Sequence, residues 1–251
     1  MPNPDAMLTE SDIRLPPPFR LVVLREVGDA FAHAKAHAAE DGAGTLVFVG
    51  RFDLAEFAVV LEPDEPMRNA RRSFYACMAA LADTLTAHAP PETDIRIDWP
   101  DSISVNHGLV GGGRMAWPEN ADADAPPDWL VFGATIRLVS MTGTDSGLHP
   151  LSAALEDEGF GEFGAERLME SFARHLMVML DAWQEQGFAA VAKSYLQRLA
   201  PESDKATRRD IDDNGDLLLR RMGTTQVERR ALIPALATPS WLDPDTQAPR
   251  L

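Results

Sequence analysis

Residues 95–137 read IRIDWPDSISVNHGLVGGGRMAW, then the acidic, proline-rich PENADADAPPD, then WLVFGATIR. β-Branched and aromatic residues crowd both sides of the break, which predicts three successive strands. Trp99-Pro100 ends the first, Gly111-Gly112-Gly113 interrupts the second, and the third runs from Trp129. Glycines inside a strand leave bare backbone where a ligand or another chain segment comes close, or they mark a bulge. The stretch therefore predicts a sheet and, on it, a small-molecule site.

Upstream, 19–25 (FRLVVLR) reads as a strand and 28–40 as an alanine-rich helix with Phe31, Ala34 and Ala38 on one face, broken by Asp41-Gly42-Ala43-Gly44. TLVFV at 45–49 and AEFAVVL at 55–61 read as buried strands joined by the turn Gly50-Arg51-Phe52-Asp53. Helical periodicity runs over 67–88 until Pro90-Pro91, then again over 165–183 and 188–199 on either side of Gly187. Strands come in pairs and threes instead of alternating singly with helices. The expected class is thus α+β, a mainly antiparallel sheet flanked by helices.

Three regions follow. Residues 1–18, ending in Pro16-Pro17-Pro18, read as an extended arm, 19–200 as the main domain, and 207–251 as a small β-rich appendage with short apolar pieces at 217–219 and 231–236. The loop 118–128 is acidic and expected to be mobile.

The 251 residues carry 39 acidic and 23 basic side chains, a formal charge of −16. Such a field repels nucleic acid. One cysteine, Cys77, leaves no intramolecular disulfide and no cysteine-based zinc cluster. No run approaches the roughly 18 apolar residues of a membrane span, and the first residues lack a signal-peptide pattern. The expectation is a cytoplasmic protein with neither a membrane nor a nucleic-acid partner.

Trp99-Pro100, the glycine run and the WLVFGATIRL strand, followed by FARHLMVMLDAWQEQGFAAVAKSYLQRL, occur in an order that resembles the biotin and lipoate protein ligase superfamily, closest to a ligase-like branch with a small C-terminal extension. The resemblance covers about residues 19–199. It implies the mixed-sheet core shared with class II aminoacyl-tRNA synthetases, a biotin, lipoate or octanoate carboxylate as ligand, and a biotinyl or lipoyl acceptor domain as partner. It places the ligand against Trp99, Pro100, Asp101, Gly111, Gly112, Gly113 and Gly133. Arg114 and Arg137 become candidate carboxylate clamps, and Gly50-Arg51 is what remains of the family's arginine-rich phosphate loop.

This chain departs from the family pattern at the positions that handle ATP. Asp98, Trp99, Pro100, Asp101 and Ser102 stand where biotin ligases typically have Lys-Trp-Pro-Asn-Asp, Leu109 stands at the catalytic lysine, and Thr135 and Arg137 replace the second glycine and the asparagine of Gly-Ile-Gly-Ile-Asn. Each preorganised donor lost from such a site is worth roughly 3 kcal/mol of barrier. The family's thioester relay fits no better, since Cys77 lies in an apolar helical stripe. Two readings stay open: a ligase or acyltransferase of cofactor attachment, and a non-catalytic pseudo-ligase that binds or regulates.

The same residues also have structural readings. Trp99-Pro100 can be a packing corner, the glycines a bulged strand, and Arg51, Arg114 and Arg137 solvent-facing or turn cations. His107 reads as a surface residue of a hairpin turn and His175 as a satisfied boundary residue. His33 and His37 lack a third metal ligand, and the acidic runs 122–128 and 210–216 lack EF-hand spacing.

Overall fold

Asn106 and His107 have positive φ angles of 47° and 73°, the pair of left-handed residues that a two-residue type I′ hairpin requires. They split 102–116 into two strands, so 95–137 holds four strands where three were expected. The structure, a computed structural model, describes residues 13–140, 152–161, 163–202, 207–243 and 250. In chain order the elements are β1 (Arg20–Leu24), α1 (Ala30–Asp41), β2 (Thr45–Val49), β3 (Leu54–Leu61), α2 (Met67–Ala70), α3 (Ser73–His88), β4 (Ile95–Asp98), β5 (Ser102–Val105), β6 (Gly108–Ala116) and β7 (Leu130–Arg137). They continue as α4 (Ala165–Gln186), α5 (Phe188–Arg198), β8 (Thr207–Ile211), β9 (Leu217–Arg221), β10 (Val227–Arg230) and α6 (Leu232–Ala237).

The main sheet has the order β1-β2-β3-β7-β6-β5-β4. Among the strands of this sheet β1 and β2 pair in parallel, joined by the α1 crossover, and the other neighbours pair antiparallel. β2 is buried along its whole length, as its unbroken apolar run predicts for a central strand.

The two faces are covered differently. α3, α4 and α5 pack on one, burying Phe57, Phe74, Phe132 and Phe172. On the other, α1 lies over β2, β3 and β7 through Ala30, Ala34 and Ala38, whose methyl groups let the helix sit close on Val47, Val49, Ala58, Val60 and Val131. Asp29 caps this helix, its Oδ1 accepting from the Ala32 N–H at 2.8 Å. The face beyond α1, over β6 and the start of β5, is where the site must be sought.

Strands β8, β9 and β10 form a separate antiparallel sheet, and its Ile211, Leu217 and Leu219 join the main core. Arg209 fastens it, donating to the carbonyls of Leu196, Leu199 and Ala200 that end α5. Two expectations are corrected. The helix over 67–88 breaks at Arg71-Arg72, where three-residue turns replace helical bonds. The apolar piece at 231–236 is helical, capped by Asp216 Oδ1 on the Leu232 N–H. The loop 118–128 meets the start of α2, where the Met67 and Arg68 N–H groups donate to the carbonyls of Ala125 and Ala123. Most of the arm over 1–18 lies outside the described residues.

Candidate functional site

Each glycine of the run has its own packing reason. Gly111 has a φ of 147°, and a Cβ there would lie 2.0 Å from the Thr135 carbonyl oxygen. It adjoins the register shift between β5 and β6, so the bulged-strand reading holds here. At Gly113 a Cβ would strike Met78 and Phe132 on the α3 side. Gly133 makes room for Phe31 of α1, 2.6 Å from where its Cβ would be. Thus Gly111, Gly113 and Gly133 serve the fold, and Gly112 alone of these four opens toward the uncovered face.

That opening is filled from within the chain. A Cβ on Gly112 would lie 2.5 Å from Trp241 Cδ1 and 2.2 Å from the Asp101 carbonyl oxygen. Trp241 is only 1% exposed. β5 begins at Ser102, so the ladder ends opposite Gly113, whose carbonyl instead accepts from Trp241 Nε1 at 3.1 Å. Beside it the buried Asp101 carboxylate receives the Ser240 N–H at 3.0 Å and the Ser240 hydroxyl at 2.7 Å, and Ser102 Oγ contacts Ser240 Oγ. Burial pushes the Asp101 carboxyl above its ordinary value; the bonds from Ser240 and Ser102 oppose that shift.

Next to Trp241 a cavity of about 160 Å³ remains, lined by Arg51, Arg114, Asp29, Glu56, Thr135 and Leu242 among others. Arg51 binds Asp53 through two nitrogens, at 3.0 and 2.8 Å, and this partner holds the Asp53 carboxyl below its ordinary value. Arg114 stacks on Phe31, 4.2 Å from the ring centroid, and its Nη2 meets Asp29 Oδ1 at 3.2 Å. The Glu56 carboxylate accepts from the Ala30 N–H at 2.9 Å. The cavity is thus polar, with cations and anions interleaved.

Burial pushes the Glu56 carboxyl above its ordinary value, against the pull of Ala30 N–H and Arg114. A raised carboxyl binds protons more readily in the folded chain than in the unfolded one. Its contribution to stability is present at low pH and is lost as pH rises through the folded value. Glu56→Gln keeps the acceptor and removes the charge. Urea titrations are expected to show the variant gaining on the parent chain as pH rises above the ordinary glutamate value of about 4; a difference flat with pH would contradict this.

Other sequence candidates fall outside the cavity. The Trp99 indole donates to Tyr75 OH at 3.4 Å, on the α3 side, and Pro100 offers its carbonyl to Tyr195 OH at 3.0 Å. Both form a packing corner. Arg137 donates to Ser152 Oγ at 3.2 Å and does not line the cavity. His107 is exposed, and His175 Nδ1 faces the Ser171 carbonyl at 2.9 Å. Cys77 is fully buried, which pushes its thiol far above the ordinary range. Sequence reasoning missed Asp29, Glu56, Ser240, Trp241 and Leu242. A serine-tryptophan pair after α6 carries no motif, and only the Asp101 and Gly113 contacts explain it. Among the described residues no helix is long and apolar enough to cross a membrane, and no cluster of His, Cys, Asp and Glu offers a metal site.

The model of the biotin/lipoate A/B protein ligase family matches residues 15–197. The chain belongs to this family. The matched region runs from before β1 to within the last turn of α5, so it takes in the main sheet, both helical layers and the cavity lining except Leu242. Among solved structures, a biotin protein ligase-like protein of unknown function from Silicibacter sp. TM1040 is 28% identical, with a TM-score of 0.73 over 88% of this chain and 97% of that one. The biotin protein ligase of Aquifex aeolicus in complex with biotin and ATP is 13% identical, with a TM-score of 0.63 over 83% of this chain and 94% of the ligase. That of Leishmania major in complex with biotinyl-5-AMP is 16% identical, with a TM-score of 0.55 over 86% and 99%. The latter two likenesses establish the fold. A search of curated proteins gives no match.

Proposed function

We propose that this family member binds a small carboxylate of the biotin, lipoate or octanoate class in the cavity lined by Arg51 and Arg114, beside the Trp241 that covers Gly112, and does not adenylate it. The observation that carries the reading is the cavity that Arg114 and Arg51 line together with Thr135 and Leu242. Arg114 is held flat by Phe31 and by one carboxylate on Nη2, a preorganised fork for a second carboxylate. The complexes of the Aquifex and Leishmania ligases support this ligand class.

Charge argues against the nucleotide. The cavity sets Asp29 and Glu56 against Arg51 and Arg114, with Asp53 already on Arg51, so a triphosphate meets no excess of positive charge. Leu109 stands at the lysine position, and Lys35 and Lys193 are exposed on helices away from the cavity lining. The pseudo-ligase reading is thereby favoured: a binding or regulatory module in a cytoplasmic setting. Family membership sustains the second reading, a ligase or acyltransferase acting on a biotinyl or lipoyl acceptor domain.

Thermal melts and intact-mass spectra of the purified chain with biotin, lipoate or octanoate, each with and without MgATP, test the proposal. The expected result is a ligand-dependent rise in Tm with no acyl-adenylate and no modified acceptor. An acyl-adenylate restores the ligase reading; no response to any of the three carboxylates removes the ligand class.

A further inference from the structure

The groove over Gly112 is already occupied, and the occupant is a short length of this chain. After α6 the exposed Ala237 and Thr238 lead into Ser240, itself exposed, and then into Trp241 and Leu242, at 1% and 5% exposure. Trp241 lies on the bare backbone of Gly112 and supplies the donor missing at Gly113, Leu242 walls the cavity, and Ser240 grips the buried Asp101 carboxylate. These anchors are consecutive and the residues leading into them are exposed, the design of a strap more than of a core element. The cavity left beside them, about 160 Å³, is smaller than the roughly 300 Å³ at which ligand pockets usually begin.

We propose that residues 239–242 are a built-in competitor: they occupy the place of a ligand's apolar body, and a carboxylate ligand binds fully only when they swing out. This rests on the carboxylate-binding reading for the ligand, though not for the strap. A strap closed about nine-tenths of the time weakens apparent affinity about tenfold. Two variants probe it. Trp241→Ala empties the groove. The double variant Ser102→Cys, Ser240→Cys places two thiols where the hydroxyls touch, so that oxidation locks the strap with Trp241 retained and reduction frees it.

Calorimetric titration with biotin, lipoate and octanoate, run beside hydrogen exchange on the unaltered chain, decides the matter. Affinity about tenfold higher in Trp241→Ala, and lower in the oxidised than in the reduced double variant, supports the strap. Equal affinity in every form overturns it and leaves the carboxylate reading standing. If no carboxylate binds any form, that reading fails and exchange alone decides. A Ser240 amide exchanging on the order of a hundredfold faster than the β6 and β7 amides shows an opening strap, whereas equal protection makes the segment fixed core and overturns the proposal.

Discussion

Gly111→Ala is expected to lower stability by about 3 kcal/mol or more, read as a fall in the urea midpoint at unchanged m-value. The backbone at Gly111 has a φ of 147°, where side chains are strained, and the new Cβ would lie 2.0 Å from the Thr135 carbonyl oxygen. The obstacle is backbone, so no rotamer change relieves it; β6 must move away from β7. These are the strands that carry Arg114 and Thr135 to the cavity, so ligand binding should fall with stability. Gly50→Ala is the control. Nothing lies within 4 Å of a Cβ there, and the change should stay within about 0.5 kcal/mol. A loss under about 1 kcal/mol for Gly111→Ala would mean that the bulge is not the strained junction described.

Arg114→Gln is expected to weaken carboxylate binding on the order of 10- to 100-fold, the worth of a charge-assisted hydrogen bond in a part-buried site. Stability should change little, since Asp29 is half exposed and the Phe31 contact is partly kept. Arg51→Gln should have a smaller effect on binding, because Asp53 already takes two of its nitrogens. Arg137→Gln should leave binding unchanged, since its partner is Ser152, outside the cavity. Equal dissociation constants for the parent chain and Arg114→Gln would remove this arginine from the site.

The sequence disclosed the sheet because its strands are buried and β-branched. TLVFV and AEFAVVL were readable from composition alone, and the extents of α4 and α5 from periodicity with a glycine stop. It under-counted strands by one, because the hairpin turn expected at Asn106-His107 divides 102–116 into β5 and β6. A glycine in a strand says only that something comes close, a ligand or another part of the chain. Phe31, Met78 and the Thr135 carbonyl proved to be that something at three of four positions. Arg114 stood out as a cation in an apolar strand, and Arg51 only through the resemblance to the family's phosphate loop; both line the cavity. Trp241 was not, because its role depends on a chain path that returns across the sheet after a separate three-stranded layer. The pairing of Asp101 with Ser240 spans 139 positions, beyond the reach of local pattern.

The central claim is that the cavity lined by Arg51, Arg114 and Thr135 is where a small carboxylate binds. Amide and indole chemical shifts of the isotope-labelled chain, followed while octanoate, lipoate or biotin is added, test it most directly. The account predicts saturable shifts at Gly112, Arg114, Thr135 and the Trp241 indole N–H, with the α5 amides at Phe188 and Lys193 unmoved. Shifts confined to other surfaces, or no saturable shift at millimolar ligand, would contradict it.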